Sequence, residues 1–111
     1  MDTTVGFTCA PGRCADLEAG SEILALTSHT HQLGVLSTID HVTATGTRTV
    51  HTSTSWEDPP LDVLSTPIVL GAGETLELTC QFHNVTDQWV DFGAGFEDEM
   101  CFLWMYYLDP L

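Results

Sequence analysis

The segment from Leu76 to His83 alternates between apolar and polar residues, and it constrains the fold more than any other stretch of the chain. Leu78, Cys80 and Phe82 continue the apolar set that begins at Leu76. Because successive side chains of a strand point to opposite faces of a sheet, the segment is predicted to be a β-strand with one buried face.

The rest of the chain also indicates an all-β protein. Threonine and valine are abundant, and no segment keeps a helical stripe of apolar residues for three turns. Further strands are predicted over residues 22–31, 35–45, 47–55, 67–70 and 100–107. Short strands separated by turn residues predict a single-domain, antiparallel, jelly-roll-like β-sandwich. We expect residues 1–20 to form an irregular segment with a cysteine pair, and residues 21–111 to form the sandwich.

The charge of the chain excludes two classes of partner. Sixteen acidic residues face only two basic ones, Arg13 and Arg48, which gives a formal net charge of −14. Because two basic side chains can neutralise few phosphates, we expect no nucleic-acid partner. The same argument applies to an anionic membrane surface, and no apolar run approaches the ~20 residues that a transmembrane helix needs.

Four cysteines, an even number in a 111-residue chain, indicate disulfides and an oxidising compartment. The alternative is four reduced thiols in a cytosolic protein. No signal peptide is visible at the N-terminus, so the chain is either cytosolic or an excised part of a longer protein. The cysteines favour the second alternative, with a secreted, periplasmic or otherwise extracytoplasmic location.

Two histidines form a candidate metal site. His29 and His31 are two residues apart in a predicted strand, so both imidazoles project from the same face and can share one metal ion. A surface pair without a ligand role is the alternative. His41 and His51 lie in polar, threonine-rich strands and are expected to be exposed, as is His83 on the polar side of its strand.

The final strand is apolar on both faces, whereas a sandwich strand needs only one apolar face for its core. The second face is therefore expected to line a cleft, a ligand or a partner domain. A thioether beside imidazoles suits copper, especially Cu(I), although core packing is the alternative role for Met100. One face carries Met100, Phe102, Trp104 and Tyr106, and the other carries Cys101, Leu103, Met105 and Tyr107.

Two further features surround Met100. A disulfide between Cys80 and Cys101 would tie the last strand to its neighbour, stabilise the fold by about 3 kcal/mol and fix the position of Met100. The acidic residues 97–99 are expected to form a solvated loop.

The order of residues in the chain supports no Ser/His/Asp triad.

Several of these motifs together resemble a known family. HTHQLG at residues 29–34, the strand that contains Cys80, DEMC at 98–101 and MYY at 105–107 are similar to the C-terminal domain of the copper type II, ascorbate-dependent monooxygenases. Peptidylglycine α-hydroxylating monooxygenase and dopamine β-monooxygenase belong to this family. Order and spacing of the motifs are preserved from about residue 23 to residue 107.

The resemblance implies a β-sandwich that binds one copper ion through His29, His31 and Met100. At this copper, O₂ would bind and a C–H bond of a small organic or peptide-like substrate would be hydroxylated. The resemblance further implies ascorbate as the external reductant and, as a partner outside this chain, an N-terminal domain that holds a second copper with three histidines. On its own the chain is expected to be inactive or poorly coupled.

The resemblance also implies disulfides and a substrate cleft. Cys80 and Cys101 match a family disulfide, and no cysteine follows Cys101, so Cys9 is expected to pair with Cys14. The peptide-amidating branch holds a substrate carboxylate with an arginine, an asparagine and a tyrosine. The corresponding positions here, with one further aromatic residue, are the candidate cleft residues Thr27, Phe102, Trp104 and Tyr106.

Because Thr27, Phe102 and Trp104 carry no charge, the resemblance implies a less charged substrate than that of the peptide-amidating branch. Two other functions remain open from the sequence. One is a non-enzymatic copper-binding module for storage or delivery, and the other is a β-sandwich interaction domain without a metal.

Overall fold

The computed structural model describes residues 2–14, 17–86, 88–93, 95 and 98–110. Two antiparallel sheets face each other, one with strand order β1–β6–β3–β4 and the other with order β5–β2–β7. This confirms the predicted all-β, sandwich-like fold. Within the described ranges, no helix is long and apolar enough to cross a membrane. The strands are β1 (Asp2–Cys9), β2 (Ser21–Thr30), β3 (Gly34–Thr43), β4 (Gly46–Ser53), β5 (Asp62–Leu70), β6 (Thr75–His83) and β7 (Cys101–Leu108).

The core lies between the two sheets. The apolar side of β6 points into it, as the alternation predicted, and Leu76 and Cys80 are completely buried. Ile23 and Leu26 of β2 meet these residues from the three-stranded sheet and are also fully buried. Removal of this apolar surface from water is the main stabilising contribution to a domain of this size.

The N-terminal segment differs from the expectation. Asp2–Cys9 is not irregular but forms β1, which pairs with β6 along its whole length. β1 lies at the edge of its sheet, and most of its side chains are exposed, so no buried face marks the strand in the sequence. β5 is also longer than predicted, since it begins at Asp62 and not at residue 67.

Both expected disulfides are present. Cys80 of β6 and Cys101 of β7 join the two sheets across the core, and Cys9 pairs with Cys14 beyond the end of β1. In the part of the chain that is described, no cysteine is free. The inter-sheet disulfide ends one residue away from Met100.

A β-bulge interrupts β2. Opposite β7, Ile23 pairs with Tyr107 and Ala25 pairs with Tyr106, so Leu24 is an extra residue on β2. Such a bulge changes which residues of a strand face the core. Ile23 faces the core before the bulge and Leu26 faces it afterwards. Odd-numbered residues therefore point inward before the bulge, and even-numbered residues point inward after it.

Candidate metal centre

The two histidines of the His-x-His motif lie at the end of β2. His29 pairs in register with Phe102 of β7, and His31 directly follows the strand. Because Ser28 and Thr30 are buried in the core, His29 points to the outer face of the three-stranded sheet. The two rings are half-buried, with centroids 5.3 Å apart and planes at 85° to each other. The structure thus brings together the pair that the sequence predicted.

The ring of His31 is held in one orientation. Its Nδ1 donates a hydrogen bond of 2.7 Å to the carbonyl oxygen of Asp98. A carbonyl oxygen only accepts, so Nδ1 carries the hydrogen, and in the neutral ring Nε2 keeps the lone pair. Histidines that bind metals are usually supported in this way at the nitrogen that does not bind. The donor set at His31 therefore fits a metal that is bound through Nε2.

Glu99 holds the backbone of the same segment through hydrogen bonds that the sequence did not indicate. It was expected to lie in a solvated loop, but only 5% of its surface is exposed. Its Oε1 accepts a hydrogen bond from the backbone N–H of His31, and its Oε2 accepts one from that of Leu33, each of 2.8 Å. The expectation of a solvated loop is therefore wrong for Glu99, while Glu97 lies outside the described residues.

Gly34 explains the spacing of the HTHQLG motif. The turn after β2 closes with a hydrogen bond of 3.0 Å from the N–H of Gly34 to the carbonyl of His31. A Cβ atom at this position would overlap the side chain of Thr30 and press on the His31 carbonyl at 3.2 Å. A glycine is therefore needed three residues after the second histidine, since any other residue would collide with Thr30, which lies between the two histidines.

Met100, the third candidate ligand, lies just before the start of β7. It directly precedes Cys101, whose register partner is Thr30, the residue between the two histidines. Among the described residues, no three His, Cys, Asp or Glu side chains form a group that could hold a metal. A metal at the histidine pair would therefore need another donor, and the thioether of Met100 is the predicted one.

An apolar cleft of about 370 Å³ opens beside Met100. Phe7, Phe92 and Phe102 line it together with Met100, and no lining residue carries a positive charge. Of the four cleft residues predicted from sequence, Phe102 lies in this lining. Phe7 and Phe92 were not predicted, because one lies on the unexpected strand β1 and the other in a loop.

The remaining cleft candidates lie farther from Met100. Trp104 and Tyr106 follow Phe102 on the outer face of β7, with 58% and 68% of their surfaces exposed. Thr27 pairs in register with Trp104, and its hydroxyl donates a hydrogen bond to the carbonyl of Pro60. The exposed aromatic face that the sequence indicated is therefore present, although its members are spread along the strand.

The other histidines have partners of their own. His83 forms a short hydrogen bond with Asp2, and this bond and the charge of His83 lower the pKa of the Asp2 carboxyl. His41 contacts Glu74 at 2.7 Å and is more buried than expected, and the hydrogen bond from its ring lowers the pKa of Glu74.

The burial of His51 differs from the expectation. This histidine was expected to be exposed but is 2% exposed, with its ring between Ser28 and Asp62. A Ser/His/Asp arrangement therefore exists, although the order of residues in the chain did not indicate it.

Burial of the ring lowers the pKa of His29, the positive charge of His31 lowers it further, and Glu99 has a smaller opposite effect. We therefore expect NMR titration of the metal-free chain to give His29 a pKa below the ordinary histidine value. The unfolded chain then binds this proton first, so His29 costs stability as the pH falls from about 6.5 towards its folded-state pKa. Phe102→Ala should expose the ring and raise this pKa, and an unchanged value would contradict burial as the cause.

The fold and the site together define a β-sandwich domain with a His-His-Met candidate metal centre on its outer face. The chain matches the family model described as copper type II ascorbate-dependent monooxygenase, C-terminal domain, over residues 2–111. The chain therefore belongs to this family. A comparison with curated proteins finds no match.

Proposed function

We propose that this domain binds one copper ion through His29, His31 and Met100 and forms part of a copper-dependent monooxygenase that hydroxylates C–H bonds. The hydrogen bond from His31 Nδ1 to the Asp98 carbonyl carries the proposal, because it leaves Nε2 for a metal beside the His29 ring. When bound, copper supplies one-electron chemistry towards dioxygen, with ascorbate as the external reductant of the full enzyme.

The residues of this chain orient the ligands and bind the substrate. Glu99 and the Asp98 carbonyl hold the backbone and the ring of His31. The disulfide at Cys101 restrains Met100. Phe7 and other aromatic residues of the cleft exclude water and contact apolar parts of a substrate.

The proposed substrate is a small and uncharged organic molecule. The cleft beside Met100 has an aromatic lining and no cationic side chain, so a carboxylate would lose its hydration there without a partner. Its one charged lining residue is Glu99, and both oxygens of that carboxylate already accept backbone hydrogen bonds. Thr27 stands where the peptide-amidating branch has its arginine, and its hydroxyl is already bound to Pro60.

The proposed partner is a domain that holds a second copper with three histidines. The exposed aromatic face of β7, with Trp104 and Tyr106, is the surface that it would contact. The two disulfides support a secreted or periplasmic location for the whole protein.

Replacement of Met100 by leucine tests the ligand set. Leucine keeps the volume of the side chain but removes the sulfur, so we expect Cu(I) affinity to fall by about tenfold or more and Cu(II) affinity to fall less. Competition titrations with chelators for each oxidation state measure both values. Met105→Leu is the matched control, because Met105 lies on the inner face of β7 and should leave both affinities unchanged. Equal losses for the two ions, or none, would contradict a ligand role of Met100.

We expect the purified chain to bind copper and to consume O₂ with ascorbate, but to release peroxide and not a hydroxylated product. Hydroxylation of a C–H bond by O₂ requires two electrons and two protons in addition to the substrate, and yields one water. A single copper held by this chain would supply these electrons one at a time, and the second copper centre would belong to the proposed partner domain. Oxygen uptake with product analysis measures this.

Several hydroxylations per copper would contradict the need for a partner. Tight copper binding without oxygen uptake would favour the storage or delivery function instead.

A further inference from the structure

Three buried polar side chains, Ser28, Ser37 and His51, lie in the core behind His29 and connect to the partly exposed carboxylate of Asp62. The Ser28 hydroxyl lies 2.6 Å from that of Ser37 and 2.8 Å from Nε2 of His51. Nδ1 of His51 lies 2.6 Å from a carboxylate oxygen of Asp62. Four strands, β2, β3, β4 and β5, each contribute one of these residues. Polar groups in a core are costly unless each has a partner, so this network needs a reason for its presence.

Ser28, His51 and Asp62 have the hydrogen-bond pattern of a hydrolytic triad, but they cannot act as one. Ser28 is 2% exposed and points into the core, so no substrate reaches its hydroxyl. The Asp62 carboxylate accepts the hydrogen of His51 Nδ1. In the neutral ring, Nε2 then accepts from the Ser28 hydroxyl, which in turn accepts from Ser37. Each buried group of this network thereby has a partner within the fold.

The bulge in β2 determines to which face of the sheet the His29 side chain points. Before the bulge Ile23 points inward, and in a regular strand His29, six residues later, would point inward as well. The extra residue Leu24 reverses the alternation and turns His29 outward. A bulge placed beyond His29 would bury this histidine and expose Ser28, because a shift of one residue moves every side chain to the other face.

We infer that Ser28, His51 and Asp62 are positioning residues that keep the bulge at Leu24 and hold His29 on the outer face. The His51 ring links two neighbouring strands of the three-stranded sheet, because Ser28 belongs to β2 and Asp62 to β5, where it pairs in register with Leu26. If the bulge moved along β2 to a position beyond His29, the Ser28 hydroxyl would leave the core and His51 would lose its partner there. The inference rests on the proposed function in one respect only, namely that His29 is a metal ligand.

The test compares Ser28→Ala with Ser21→Ala. Both serines are buried on β2, and both make side-chain hydrogen bonds, but Ser21 precedes the bulge and bonds only the backbone of Glu18 among the described residues. In the metal-free chain, ethoxycarbonylation of His29 by diethyl pyrocarbonate, followed by mass spectrometry, reports whether its ring is accessible. Labelling of the exposed His83 on the other sheet is the internal reference.

We expect Ser28→Ala to slow labelling of His29 relative to His83, and Ser21→Ala to leave it as in the unaltered chain. Copper affinity should fall by about 10- to 100-fold in Ser28→Ala, as for other residues that orient ligands, and should recover in Ser28→Thr, which restores the hydroxyl. Unchanged labelling and affinity in Ser28→Ala, or equal changes in both alanine variants, would overturn the inference. Copper binding that is unaffected by His29→Ala would instead refute the proposed function, while the labelling result would still decide how His29 is held.

Discussion

Replacement of Glu99 by alanine should lower the free energy of unfolding by about 2–6 kcal/mol and abolish tight copper binding. The almost completely buried carboxylate accepts hydrogen bonds of 2.8 Å from the backbone N–H groups of His31 and Leu33, and a longer one of 3.4 Å from that of Met100. Its removal leaves the N–H groups of His31 and Leu33 without this partner, at about 1–3 kcal/mol for each buried group. The backbone at His31 then loses its support, although the ring itself is untouched by the substitution.

Urea unfolding and copper titration of Glu99→Ala measure the two effects. Glu77→Ala is the matched control, because Glu77 lies on the exposed side of β6 and its loss should change stability by less than about 0.5 kcal/mol. Glu99→Gln keeps one acceptor oxygen and turns an amide donor towards the second N–H, so its stability should lie between the two alanine variants. A Glu99→Ala chain that is as stable as the control and binds copper equally well would show that water replaces the carboxylate.

The disulfide between the sheets should have the second large effect. Cys80→Ala together with Cys101→Ala should destabilise the fold by about 3 kcal/mol, because the bridge closes a loop with a sequence separation of 21 residues. The bridge between Cys9 and Cys14 spans only five residues, and the same chain-entropy model gives about 2 kcal/mol for its removal. Chemical denaturation of the two double variants measures both values.

The two bridges should also differ in their effect on copper. Cys101 adjoins Met100 in the chain, whereas Cys9 and Cys14 close a turn after the end of β1. Cu(I) affinity should therefore fall in the variant without Cys80 and Cys101 and stay constant in the other. The same Cu(I) affinity in both double variants would mean that β-pairing with β2 is sufficient to place Met100.

The sequence predicted those parts of the fold where burial repeats with the period of a strand. β6 alternates cleanly because one of its faces packs on the core, and β7 was found from its apolar residues. β1 was missed because it is held by backbone hydrogen bonds at a sheet edge and buries only Cys9. An edge strand with exposed side chains carries no periodic signal.

The candidate ligands were predicted, but their supports were not. His29 and His31 are two residues apart, so their proximity follows from local geometry. The partners of Glu99 lie 66 and 68 residues away in the chain, and an acidic run of this kind ordinarily faces solvent. His51 likewise lies in a threonine-rich strand, and its burial depends on a serine and an aspartate from two other strands.

The position of β7 at the edge of its sheet affects how the protein will behave in solution. β7 has a neighbour on one side only, β2, and its outer face presents Phe102, Trp104 and Tyr106. Such an edge is a template for pairing with the same strand of another molecule. The net charge of −14 opposes this pairing through repulsion between copies, but the repulsion acts over only about 10 Å at 0.1 M salt. Concentrated stocks should therefore remain monodisperse in dilute buffer and associate on addition of salt, until a partner domain covers the strand.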